Sequence, residues 1–220
     1  MIIQGSFDPA LVLVSVTIAI AASYTALDLA GRVRASSGRA RQLWLSAAAL
    51  AMGGGIWSMH FVAMLAFVLP VPVAYAFWPT ALSLVVAVLV TGAGFAIVSL
   101  GPPSFARVGI AGLYMGAGIC SMHYIGMAAM RMPAGITYDP VTVAVSFLIS
   151  AGASAIGLWL AFNVDRVIQR IGAALFLGAA VAGMHYTGMA AASAALTDLA
   201  SALREAPTCR NLIWRLPSRR

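Results

Sequence analysis

The sequence predicts an all-α fold: a polytopic bundle of transmembrane helices with six clear spans. Three observations predict it. The chain is 62% hydrophobic and 9% charged, where a soluble domain carries roughly 25% charged residues. Its apolar runs recur at lengths of about 20 residues or more, enough to cross a hydrocarbon core of about 30 Å. Its charges stand between or beyond those runs, as charges that set membrane topology do. The expected surroundings are therefore the lipid bilayer.

The spans follow in order. Span one, 10–30, is preceded by MIIQGSFDPA, which lacks the positive region of a cleavable signal peptide. It ends in an Arg-rich loop, 31–42. Span two, 43–69, runs into the Pro-rich turn LPVPVAYAFWP. Span three, 80–100, is broken by GPPSFAR, and span four, 108–130, by RMPAGITYDP. Span five, 141–162, ends at the polar stretch NVDRVIQR, and span six covers 171–195. Proline lacks an N–H and pushes the residue before it out of the helical region, so these turns end helices. Residues 1–196 thus form one transmembrane domain, and 197–220 a basic C-terminal tail that reads as a degenerate or missing seventh span.

All 13 basic residues are Arg. Loops one, three and five hold Arg32, Arg34, Arg39, Arg41, Arg107, Arg166 and Arg170, while loops two and four hold Arg131 alone. The positive-inside rule then places loops one, three and five in the cytoplasm and the N-terminus outside. This placement also accounts for the net charge of +7 without nucleic acid. The tail carries five Arg, and Leu199, Leu203, Leu212, Ile213, Trp214 and Leu216 give it an apolar side suited to a membrane surface. Cys120 lies inside a span and Cys209 in the tail, which does not suggest a disulfide. Asp28 stands four residues before Arg32, a spacing that pairs them on a helix.

An internal repeat carries the chemistry. Residues 52–64 read MGGGIWSMHFVAM, 115–127 read MGAGICSMHYIGM, and 177–189 read LGAAVAGMHYTGM. The register continues beyond the motif: Pro70 matches Pro133, Tyr75 matches Tyr138, Ser83 matches Ser146 and Gly94 matches Gly157. The repeating unit is two spans, with the motif on spans two, four and six. Small residues on those spans, Gly53, Gly54, Gly55, Gly116, Gly118, Gly178 and Ala180, allow close helix packing and support an inner ring of the three motif helices.

The chain has three histidines, His60, His123 and His185, one in each copy of the motif. Positions four apart share a helix face, so His60 faces with Met64, His123 with Met127 and His185 with Met189. Met59, Met122 and Met184 lie about 100° round from their histidines, where packing against a neighbouring helix is the plainer role. Counting back from the expected span ends puts the imidazoles roughly 12–15 Å below the outer surface, in one layer. Polar side chains at such depth usually face the bundle interior and act there. Neutral imidazole and thioether together suit copper, the thioether favouring Cu(I) and the imidazole serving both states. The lack of acidic residues inside the spans argues against Ca, Mg or Mn, which want oxygen, and Zn gains little from Met. One buried His is more often a packing residue, and one Met a gap filler. Three copies in register, using every histidine, favour a metal site. Cys120 has Trp57 and Ala182 as counterparts, so a shared ligand role is not expected of it.

Met-His-Tyr-Thr at 184–187, with M-H-Y-I at 122–125 and M-H-F-V at 59–62, resembles the MHYT domain family of bacterial integral membrane sensors. The resemblance covers about residues 1–195 and includes SYTALDLAGRV and MHFVAMLAFVLPVPV. It implies seven spans in the bacterial inner membrane, motifs near the outer face, and copper held by motif Met, His and Tyr residues. It further implies sensing of a diatomic gas (O2, CO or NO) and a cytoplasmic signalling partner of the diguanylate cyclase or phosphodiesterase type. Carried over by motif, the metal candidates are His60, His123, His185, Met59, Met64, Met122, Met127, Met184 and Met189, for one copper ion or more. The sequence departs from the family at Phe61, which stands where the motif has Tyr, in lacking a recognisable seventh span, and in having no output domain after it. The expected role is a metal-binding sensor and not an enzyme. Copper transport, a membrane redox or haem protein, and a bundle with packed histidines and no metal are the alternatives.

Overall fold

The computed structural model describes residues 5–99, 101 and 104–196; the basic tail, with Cys209 and the expected remnant of a seventh span, lies outside the described residues. Six helices account for most of them: α1 (Pro9–Ala35), α2 (Gly38–Ala66), α3 (Phe77–Ser99), α4 (Phe105–Ala128), α5 (Pro140–Asn163) and α6 (Val167–Ala190). All six are long and apolar enough to cross a membrane. Large apolar side chains such as Leu13, Leu89, Ile110 and Leu148 are exposed on the outside of the bundle, as a lipid-facing surface requires. Phe77, Trp78 and Phe105 stand exposed at helix starts, where aromatic rings suit the membrane interface.

The ends show why the chain turns where it does. Asp8 caps α1 through a hydrogen bond from the N–H of Ala10 (2.8 Å), with Pro9 at the first helical position. Asp139 and Pro140 repeat the device at α5, where Asp139 accepts from the N–H of Thr142 (2.8 Å). An acidic cap answers the free N–H groups of the first turn, and proline there gives up no bond. At the ribbon end α2, α4 and α6 stop short of the expected 69, 130 and 195, because the residues that follow are extended.

Those residues form three short ribbons that the sequence did not predict. β1 (Ser6–Phe7) pairs with β2 (Phe67–Val68), β3 (Ala74–Tyr75) with β4 (Met130–Arg131), and β5 (Ala134–Tyr138) with β6 (Ala192–Leu196), all antiparallel. The unit is therefore strand–helix–helix–strand, closed on itself at one end. A backbone bond recurs at each closure: Asp8 N–H to Ala66 O (2.8 Å), Ala76 N–H to Ala129 O (2.8 Å), and Asp139 N–H to Ala191 O (2.9 Å). The part of span six expected at 192–195 is strand.

The helices form a closed ring in chain order, with α6 returning to α1. Small residues set the spacing, though with different partners from those the sequence suggested. A Cβ on Gly53 would meet Ala87 O at 2.7 Å, one on Gly116 would meet Ala151 N at 2.6 Å, and one on Gly178 would meet Ile20 Cα at 2.9 Å. Each motif helix thus presses its glycine against the following odd-numbered helix, α2 on α3, α4 on α5 and α6 on α1. Gly54 meets nothing within 4 Å. Contact among α2, α4 and α6 is confined to a smaller region about the ring axis.

The ring is also tied at the end opposite the ribbons. Arg170 on α6 pairs with Asp28 on α1, and Asp28 also takes Arg32 at 3.1 Å. Arg34 on α1 binds Asp165 at 2.7 Å and the carbonyl of Phe162 at 2.5 Å. These contacts join the first unit to the third across the seam that no loop connects.

Candidate metal centre

His60 on α2, His123 on α4 and His185 on α6 meet on the ring axis, each at most 1% exposed. They stand five or six residues before the ends of their helices. At 1.5 Å per residue this is about 8–9 Å from the ribbon end, shallower than the sequence count because the strands shorten the helices. Nδ1 of His60 lies 3.0 Å from Nδ1 of His185 and 3.2 Å from Nδ1 of His123. The ring centroids are 4.9, 5.0 and 5.1 Å apart, each pair edge to face. One nitrogen from each ring can be chosen so that all lie within 4.8 Å of one another.

The opposite nitrogens are held differently. Nε2 of His60, His123 and His185 is buried without a hydrogen-bond partner. A Cβ on Gly126 of α4 would overlap Nε2 of His60, and one on Gly188 of α6 would overlap Nε2 of His123. Sequence reasoning missed these two glycines. The signal was the Gly three residues after the His in two motif copies, with Ala63 in the first.

The motif aromatics stand outside the imidazoles. Phe61, Tyr124 and Tyr186 pack edge-on against their own histidines at 4.9, 4.9 and 5.0 Å. On the far side each meets an aromatic from the strand leading the next odd-numbered helix: Tyr75 for Phe61, Tyr138 for Tyr124, and Phe7 for Tyr186. The hydroxyls of Tyr124 and Tyr186 reach Ser146 (3.1 Å) and Ser15 (3.2 Å).

The methionines fall into two sets. Met64, Met127 and Met189 pack together, capped by Phe67, Tyr75, Met130 and Ala192. They lie one turn beyond the imidazoles toward the ribbon end. Met59, Met122 and Met184 belong to the main apolar core, the packing role their angular offset suggests. Cys120 is buried, with its Sγ 4.0 Å from Oγ of Ser146.

The donor set fits a cation. A metal with three nitrogens at about 2.0 Å sets them about 3.3–3.5 Å apart, close to the two short Nδ1 separations. Convergent lone pairs in an apolar, closed space repel one another unless a proton or a cation lies between them. Neutral imidazoles and adjacent thioethers are a soft set with no carboxylate, which suits copper over hard cations. Three rings in mutual contact leave no space for a porphyrin between any two of them.

Comparison with known proteins gives the family. The family model described as "MHYT: Bacterial signalling protein N terminal repeat" matches residues 1–42, 53–111 and 116–174. The chain belongs to the MHYT family. Its second and third matched segments each run from a motif helix into the following odd-numbered helix, the pairs that the glycines bring together. The chain is 49% identical over 193 residues to the bifunctional diguanylate cyclase/cyclic di-GMP phosphodiesterase MucR of Pseudomonas aeruginosa, covering 86% of this chain and 28% of that protein. It is 38% identical over 194 residues to the cyclic di-GMP phosphodiesterase NbdA of the same species (84% and 24%). It is 34% identical over 200 residues to the signaling protein YkoW of Bacillus subtilis (88% and 25%). The chain thus spans about a quarter of the length of these curated relatives. No solved structure matches it. The MHYT repeats form a multi-pass membrane region of signalling proteins, and the enzymatic parts of the relatives lie elsewhere in their chains.

Proposed function

We propose that this MHYT region senses through a copper ion held by His60, His123 and His185, with a diatomic gas as the ligand read there. The observation that carries the proposal is the convergence of three buried Nδ1 atoms on one axial point. Copper there would supply a soft, redox-active centre open to a small exogenous ligand. Met64, Met127 and Met189 are the nearer thioether candidates on the ribbon side; Met59, Met122 and Met184 hold the core beneath. The apolar surround excludes water and anions from the imidazoles.

The positive-inside rule supports a ribbon end outside the cell and an Arg-rich end in the cytoplasm. A shift of α2, α4 and α6 at the histidines then reaches the cytoplasmic end through the odd-numbered helices against which they pack. The output partner is a diguanylate cyclase or phosphodiesterase unit, as the names of the relatives suggest. Copper transport is the competing reading, and Met52, Met115 and Met184 around the cavity inward of the histidines favour it. That cavity measures about 30 Å³ and is otherwise mostly apolar, which leaves no ladder of ligands across the bundle. Metal analysis and copper flux in proteoliposomes test the two together. Retained copper without flux supports sensing, and flux supports transport.

A further inference from the structure

Three serines, one on each odd-numbered helix, occupy corresponding places and are treated alike. Ser15, Ser83 and Ser146 are each 0% exposed. Each donates its hydroxyl to the carbonyl three residues earlier: Val12 at 2.7 Å, Thr80 at 2.7 Å and Val143 at 2.8 Å. The serine proton is then committed, so the oxygen can only accept from the motif helix beside it. Tyr186 supplies the donor for Ser15 and Tyr124 for Ser146.

Phe61 has no hydroxyl, yet Ser83 is not left without a donor. Trp57, one turn earlier on α2, gives its indole N–H to Ser83 at 3.0 Å and lies near the Thr80 carbonyl at 3.2 Å. Its ring packs on Phe61 at 4.8 Å. In the first repeat two residues thus divide the work of one tyrosine: Phe61 backs the imidazole and Trp57 makes the bond to the next helix. Trp57 has Cys120 and Ala182 as counterparts; Cys120 Sγ stands only at the sulfur limit of 4.0 Å from Ser146, which already has Tyr124.

We propose that Tyr124, Tyr186 and the Phe61–Trp57 pair are positioning residues for the imidazoles, and that Trp57 stands in for the missing motif hydroxyl. The hydroxyls of Tyr124 and Tyr186 are directed to serine and away from the axis, so they are not metal ligands. The assignment rests on the copper reading for its affinity test and on geometry alone for its second test.

The experiment is a rescue. Loss of a group that orients a metal-bound histidine lowers metal affinity about 10–100-fold. Trp57→Phe should weaken Cu(I) binding by about tenfold, and adding Phe61→Tyr should restore it, because the new hydroxyl meets Ser83 as Tyr124 meets Ser146. Ser83→Ala should abolish the rescue. In metal-free protein, ¹⁵N NMR of the histidine rings should show His60 disturbed by Trp57→Phe and returned by Phe61→Tyr, with His123 unmoved. Wild-type protein that binds no copper overturns the copper reading, and the ring spectra still decide this one. Unchanged His60 signals in Trp57→Phe, failure of Phe61→Tyr to restore them, or a phenolate-to-copper charge-transfer band in the wild type would overturn the assignment. Should Trp57→Phe not fold, Ser83→Ala alone carries the ring measurement, with the same disturbance of His60 expected.

Discussion

Gly126 on α4 lies against Nε2 of His60 on α2 so closely that a methyl group at that position would overlap the ring. Gly188 stands in the same relation to His123. Ala63, at the corresponding place in the first motif copy, is 0% exposed. His60 and His123 are thus fixed from behind by neighbouring backbone, which holds their Nδ1 atoms toward the axis.

Gly126→Ala should therefore displace His60 and cost about 1–3 kcal/mol by overpacking. Thermal unfolding in detergent measures it. Copper affinity should fall in parallel, and Gly188→Ala should behave alike through His123.

The other glycines separate into two groups. Gly116→Ala brings a methyl onto the backbone of Ala151, which cannot yield, and should cost several kcal/mol or prevent folding. Gly54→Ala meets nothing and should stabilise α2 by about 0.5–1 kcal/mol. Melting temperatures of the two variants in one detergent give the comparison; equal shifts would refute the packing assignment.

Asp28 answers both Arg170, whose side chain is 15% exposed, and Arg32, which is 54% exposed. Asp28→Asn should destabilise the α1–α6 seam by about 2 kcal/mol, since it strands a half-buried guanidinium. Arg32→Ala should change stability by less than about 0.5 kcal/mol. Hydrogen exchange along the start of α6 should rise in the first variant alone.

Hydrogen bonds from Thr142 hold the Asp139 carboxyl below the usual carboxylate range. A depressed folded-state pKa contributes stability above the unfolded value of about 4, and that contribution fades as pH falls through the folded value. Amide exchange at Thr142 should accelerate on acidification below about pH 4, and Asp139→Asn should remove the pH dependence.

Much of this was legible beforehand because membrane helices announce themselves. Apolar length, proline-bounded turns and alternating Arg loops placed six spans within a few residues of α1 to α6. The triplicated His with a Met four residues on gave the axial cluster, since any quasi-threefold ring brings equivalent residues together. The ribbons were hidden because two-residue strands such as Phe67–Val68 have no periodicity to read. The match of Ser83 with Ser146 was visible, but its meaning depended on which helix lay beside which. The same limit misassigned the partners of Gly53, Gly116 and Gly178, because a sequence shows that a helix can pack closely and not against what. Trp57 was read only as a counterpart of Cys120, because its bond to Ser83 depends on which helix lies beside α2.

The most direct test of the central claim is metal content. Protein purified without chelators should retain about one copper ion per chain, the number three imidazoles on one axis can share. His60→Ala, His123→Ala and His185→Ala should each lose most of it while keeping the helical spectrum. Copper-free wild type after copper exposure, or copper that survives all three substitutions, would contradict the account.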